Sequence, residues 1–153
     1  MELLKSIVID FVLFSSIEGF IFCLFFEKIG GCRKFKWYEW LILSVGNCMI
    51  SQVFPPTIYQ AICIIWIILF LCITNKLKVV KSLKLSILGF FFFVVIEVLY
   101  SIIIELTIGT DLILLDNKFV VFMYLIPTKI LEIIICLKGE IIMKIIVGGV
   151  VRK

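Results

Sequence analysis

Five apolar runs, at residues 7–26, 37–54, 57–74, 86–108 and 119–137, occupy most of this chain and leave it few ways to fold. A helix of about 20 apolar residues crosses a hydrocarbon core of about 30 Å, and each run is close to that length. Apolar residues make up 63% of the 153-residue chain and charged residues only 17%, and mean hydropathy is +1.27. A soluble domain of this size has too much surface to hide so many apolar groups. The expectation is an all-α integral membrane protein of about five transmembrane helices. It forms a single membrane domain over 1–153, multi-pass in a bacterial cytoplasmic membrane, with no room for a separate soluble domain. The opening Met-Glu-Leu-Leu-Lys leads into a stretch without small-residue cleavage signals and with bulky residues from Phe14 to Phe26. It reads as a retained helix rather than a signal peptide.

Charge sets the orientation. The loop after the first run carries Lys28, Arg33, Lys34 and Lys36, and the loop after the third carries Lys76, Lys78, Lys81 and Lys84. The tail 138–153 carries Lys138, Lys144, Arg152 and Lys153, so these three segments hold twelve of the fifteen positive residues. The Pro55-Pro56 turn has none, the N-terminus has Lys5, and the loop after the fourth run has one lysine beside Asp111 and Asp116. Positive charge resists translocation, so the rich segments are expected in the cytoplasm, with the N-terminus outside and the C-terminus inside. They alternate along the chain as five crossings require. Trp37, Tyr38 and Trp40 then fall at the inner interface, where amphipathic rings settle. The net charge of +4 follows from topology and attraction to anionic lipid, and no nucleic acid partner is implied.

Several chemistries are excluded. The six cysteines form no C-x-x-C pair, and the chain has no histidine. That removes zinc sites of the Cys/His kind, Cys/His and Ser/His/Asp catalysis, and a phospho-accepting histidine. Cysteine within helices is a small apolar residue. No enzyme, metal site or cofactor is expected.

The informative residues are charges inside the apolar runs: Asp10, Glu18, Glu97, Glu105, Lys129 and Glu132. A charged residue at the centre of a spanning helix costs about 2.5–3.5 kcal/mol on the insertion scale, so such groups face protein or water and seek partners. Asp10 and Glu18 are eight residues apart, as are Glu97 and Glu105. Eight residues turn through about 800°, which leaves both members of a pair within about 80° on one helix face. The first and fourth helices run oppositely, so the two acidic stripes are expected to face one another. Asp10 and Glu105 then lie toward the outer side, with Glu18 and Glu97 near the middle. Ser15, Ser16 and Gly19 on the first helix, and Ser101 on the fourth, permit close helix approach.

The fifth helix supplies the one cation at depth. Lys129 can reach Glu132 at i+3, or Glu97 and Glu18 across the bundle, and Pro127 beside it is a hinge candidate because proline interrupts the helical ladder. Two roles are open to this polar set: a network that fixes helix packing, or the lining of a cavity for a ligand, a peptide or a proton. An acidic cavity on the outer side favours cationic or amine-bearing ligands. The second helix has a polar face of Ser44, Asn47, Cys48 and Ser51, while the third is apolar apart from Tyr59, Gln60 and Trp66 and is expected to be the most lipid-exposed. The tail from Ile141 is too short to cross alone and reads as an interfacial segment or a docking segment for a partner.

Further strings carry a likeness: Ser16-Ile17-Glu18-Gly19, Phe26-Glu27-Lys28, Lys34-Phe35-Lys36-Trp37-Tyr38-Glu39-Trp40 and Phe54-Pro55-Pro56. With these the layout resembles the N-terminal membrane module of the peptide-sensing, accessory-gene-regulator type of bacterial sensor histidine kinases. The resemblance implies a sensor whose helices bind an extracellular peptide and pass a conformational bias to a cytoplasmic kinase. For this chain the expected partners are an extracellular peptide or small molecule and a cytoplasmic signalling partner. It departs from the family in having about five spans instead of six or more, no histidine and no kinase domain, so it covers only the sensory half. A standalone version works through a partner or a second copy. A second likeness, from another class, is to the substrate-capturing membrane subunit of energy-coupling-factor transporters, which dock their partner through small residues such as Ser15-x-x-x-Gly19. A structural protein without a ligand is the third reading.

Overall fold

The computed structural model describes residues 7–109 and 118–150, and side chains as far as Gly139 except those of 56 and 108. Each apolar run becomes a helix: α1 Ile7–Lys28, then α2 Trp37–Val53, α3 Pro56–Asn75, α4 Val79–Ile108 and α5 Lys118–Val150. No strand occurs among the described residues. Four of the helices, α1, α3, α4 and α5, are long and apolar enough to cross a membrane, which makes this a multi-pass membrane protein. The remaining helix, α2, has 17 residues.

The ends follow local chemistry. Phe54 leaves α2 in an extended conformation, and Pro56 opens α3 at the first helical position, where the missing N–H is no loss. Gly109 closes α4 at φ 69°, donating its N–H to Glu105 O at 2.9 Å, a left-handed cap that glycine takes without strain. Lys81 and Lys84 fall on the first turns of α4, which starts at Val79 rather than Ser86. Lysine is a good helix former, and flexible lysines at a helix end reach the interface without interrupting the ladder. Nor does α5 stop at Leu137. The expected separate tail continues it as far as Val150, since no proline follows and Gly139, Gly148 and Gly149 each cost a helix only about 1 kcal/mol. Lys5, Asp111, Asp116, Arg152 and Lys153 lie outside the described residues.

The helices close into a ring in chain order, with α5 returning to α1 and α1 also touching α4. Against α2, α1 runs antiparallel, with Gly19 on Ser44; a Cβ at Gly19 would lie 2.1 Å from Ser44 Oγ and 3.2 Å from Ser44 Cα. Ser15, buried, is hydrogen-bonded to Cys48 at the next level. Ser15 and Gly19 thus seat α2 on α1. Gly46 meets the indole of Trp66 in the same manner, joining α2 to α3. A phenylalanine cluster joins α1 and α4, in which Phe22 and Phe93 have ring centroids 4.8 Å apart and Phe25 lies against Gly89. Parallel to α1 runs α5, with Phe14 edge-on to Phe122 at 5.9 Å and Ile29 against Gly139.

The α1–α2 loop is clasped to the end of α3. Arg33 is ion-paired with Glu39 and donates to Thr74 O at 2.9 Å from Nη2, placing a cation on the last carbonyls of α3, where the helix dipole favours it. Glu39 also accepts the Lys36 N–H at 2.8 Å, and its carboxylate pushes the Arg33 guanidinium further up. Trp37 and Tyr38 are exposed, whereas Trp40 turns inward and donates its indole N–H to Ser16 O at 2.7 Å.

One expectation is reversed. The helix with the smallest buried share is α4, not α3. Cys63, Ile67, Phe70 and Leu71 of α3 are all in the core, because α3 is packed between α2 and α4. Apolar composition alone does not distinguish a face toward lipid from one toward protein.

Candidate functional site

Midway along the bundle, Lys129 of α5 gathers three carboxyl groups. It is hydrogen-bonded to Glu97 of α4, and its Nζ lies 3.5 Å from Glu132 and 3.8 Å from Glu18 of α1. The positions follow from helix register. Residues 22 and 25 of α1, and Gly30 just beyond its end, meet 93, 89 and 85 of α4, so Glu18 and Glu97 arrive at one level. Lys129 and Glu132 are three apart on one face of α5, neighbours on a helix surface. Both are buried. Thr128, also buried, donates to Leu125 O at 2.6 Å, and α5 runs unbroken through Pro127; its ring removes one donor from the ladder two residues before Lys129.

These groups border a cavity of about 230 Å³, completed by Asn47 of α2, by Tyr59, Gln60 and Cys63 of α3, and by Phe90 and Phe93 of α4. Residues from all five helices therefore take part. Asn47 Oδ1 and Glu132 Oε1 are buried acceptors without a hydrogen-bond partner among the described residues. Buried polar atoms are normally paired, so both suit a guest that carries donors. With three carboxyl groups facing one ammonium, protons or a cationic guest must balance the remaining charge.

The other expected site residues lie elsewhere. Asp10 accepts from Gln52 Nε2 at 2.7 Å and is ion-paired with Lys118 at 2.7 Å. Glu105 is exposed near the end of α4, from where a long side chain reaches the interface. Ser101 is half-buried and does not border the cavity. The two acidic stripes thus meet only at Glu18 and Glu97. The stripe of α1 is answered instead by lysines of α5, at Lys118 and Lys129, because opposite charges pair and facing carboxylates repel. A π turn at Phe11–Ser15 lies between the two acids of α1. There the Ser16 N–H bonds to Phe11 O, and the Ser16 hydroxyl takes up Val12 O at 2.9 Å. Such turns accommodate one extra residue, which brings Asp10 closer to the meridian of Glu18.

No family model, curated protein or solved structure matches the chain.

The site therefore has to be read from its own groups. Asn47, Tyr59, Gln60 and Cys63 did not stand out as site residues from the sequence. The signal available was the clustering of the polar groups of α3 at its N-terminal end, with Tyr59 and Cys63 one turn apart. Among the described residues, no group of three or more Cys, Asp and Glu side chains is arranged to hold a metal ion.

Proposed function

We propose that this chain is a non-catalytic, receptor-like membrane protein whose interhelical cavity holds a compact cationic or amine-bearing ligand and which acts through a cytoplasmic or membrane partner. The observation that carries this reading is the surplus of acid around Lys129: Glu18, Glu97 and Glu132 share one lysine beside a cavity with two unpaired acceptors. A guest ammonium supplies the missing charge and donors at once. The volume of about 230 Å³ is below the roughly 300–1,000 Å³ of sites for drug-sized ligands. It suits a small amine, or the amine end of a peptide. A guest that competes with Lys129 for Glu97 and Glu18 shifts α5 next to Pro127, and differential binding to two such arrangements is what passes a signal. The transport-subunit reading is less well supported, because Ser15 and Gly19 are already covered by α2 and are not free to dock another subunit.

Protein reconstituted in nanodiscs should bind ethylammonium, choline or spermidine in calorimetry more tightly than potassium at matched ionic strength. Glu97→Gln and Glu18→Gln should each weaken that binding by at least about tenfold, since removing one partner from a buried charge cluster costs more than about 1.4 kcal/mol. If no amine binds, or if both variants bind as the parent does, the proposal is wrong. Accumulation of the amine in vesicles would instead favour transport.

In this proposal α2 is the fifth crossing, at the short end of the workable range of about 17–25 residues, and the N-terminus is outside. Cys32, in the α1–α2 loop, tests it. In a variant retaining only Cys32, a membrane-impermeant maleimide should label inside-out vesicles and spare intact cells. Burial pushes the Cys32 thiol up, so less thiolate is present at neutral pH and labelling should accelerate as pH rises from about 7 to about 9. Labelling from the outer side would reverse the orientation.

A further inference from the structure

A second concavity faces outward between α1 and α5. It has a volume of about 740 Å³, and its walls are apolar side chains such as Phe20 and Leu24 of α1 and Ile126, Ile130 and Ile133 of α5. Phe20 and Ile130 are about half exposed along it. At the end beside Glu27 the walls become Lys34, Lys36 and Trp37, while the Trp40 indole lines the groove further in, against Phe20 and Ser16.

Its length is the telling dimension. Along α1 it reaches from Ser16 to Glu27, and along α5 from Phe122 to Ile133. At 1.5 Å per residue that is about 16 Å, close to half of a hydrocarbon core of about 30 Å. Ser16 is near the midpoint of α1, while Glu27 is one residue from its end. The groove therefore runs from the middle of the bilayer to one surface, the depth of a single leaflet.

The charged end has the opposite sign to a phosphate. Neither Lys34 nor Lys36 is ion-paired with a carboxylate among the described residues, and Lys36 Nζ lies 5.6 Å from the Tyr38 ring centroid. Glu27, the acid at that end, is engaged by the Phe35 N–H at 2.6 Å. Two exposed ammonium groups remain, flanked by an exposed indole at Trp37, the kind of ring that settles among headgroups.

We infer that this groove is a site for one anionic phospholipid, with an acyl chain lying along Phe20, Leu24, Ile130 and Ile133 and the phosphate held by Lys34 and Lys36. Lys129 forms part of the groove wall and also borders the inner cavity. The lipid therefore lies against the helix that carries the central cation. This inference needs only the bundle and the membrane, and stands or falls apart from ligand binding in the cavity.

The test is native mass spectrometry of the detergent-purified protein, titrated with phosphatidylglycerol and, separately, with phosphatidylcholine of the same chains. One phosphatidylglycerol should be retained with a preference on the order of tenfold, as about 1 kcal/mol per lysine near an anionic surface implies for two lysines acting incompletely. Lys34→Gln with Lys36→Gln should abolish the preference while leaving weak retention of either lipid. Both residues are exposed, so the double variant has no cause to misfold. Ile130→Trp, which fills the groove, should reduce retention of both lipids. Equal retention of the two lipids by the parent, or a preference that survives the double lysine substitution, overturns the assignment. Unchanged retention in Ile130→Trp also overturns it.

Discussion

Lys129→Met should destabilise the purified protein by about 3–5 kcal/mol, the cost of removing one partner from a buried ion pair. Among the described residues, Lys129 is the only cation beside Glu18, Glu97 and Glu132. Methionine fills most of its volume, so packing loss is small and the effect reads the charge. Detergent unfolding followed by the fluorescence of Trp40 and Trp66, two indoles in interhelical contacts, measures it directly. Adding Glu97→Gln to Lys129→Met should restore more than half of the loss, because the carboxylate nearest to the lost ammonium is then neutral. Non-additivity of this kind is expected where two groups share one contact. If Lys129→Met unfolds at the parent's midpoint, the cluster does not hold the helices together. If the double variant is no better than the single one, Glu97 is not the main counter-charge.

The second large effect belongs to Gly19. Gly19→Leu should cost about 3 kcal/mol or more, at the upper end of what overpacking a tight contact does. Even the first added carbon meets Ser44 Oγ at 2.1 Å, and the same carbon lies 3.2 Å from Ser44 Cα, which belongs to the backbone of α2. Ser44 is fully buried, and its hydroxyl donates to Trp40 O at 2.9 Å. The milder Gly19→Ala should be largely rescued by Ser44→Gly, which deletes the hydroxymethyl group in the way and leaves only the 3.2 Å backbone approach. A tolerated leucine would mean that α1 and α2 are not held at this distance. Failure of Ser44→Gly to rescue alanine would place the obstruction elsewhere.

Much of the fold was legible because lipid imposes one rule on the backbone: polar groups must be satisfied within the segment. Apolar length therefore located every helix, and Pro55-Pro56 marked its turn. The far ends were harder to read. The starting lysines of α4 look like a loop when charge is equated with irregular structure, and the continuation of α5 beyond Leu137 carries no stop signal. At the site, the meeting of Lys129 with Glu97, Glu18 and Glu132 could be anticipated, because a deep cation has few ways to be satisfied and the register of antiparallel helices is constrained. The partner of Asp10 was not readable. It is set by how α5 lies beside α1, a parallel neighbour remote in the chain. Glu105 shows the converse limit, since a spacing of eight fixes which face two residues share but not which neighbour that face meets.

The parallel pairing of α1 with α5 also bears on how the bundle is made. Both lysines that answer the acids of α1, Lys118 and Lys129, belong to a helix that leaves the ribosome after α1 to α4. Until α5 emerges, the inserted helices carry Asp10, Glu18 and Glu97 with no lysine from that helix beside them. Ring closure by α5 is then the step that settles these residues, so the bundle closes only once all five helices have been made rather than helix by helix.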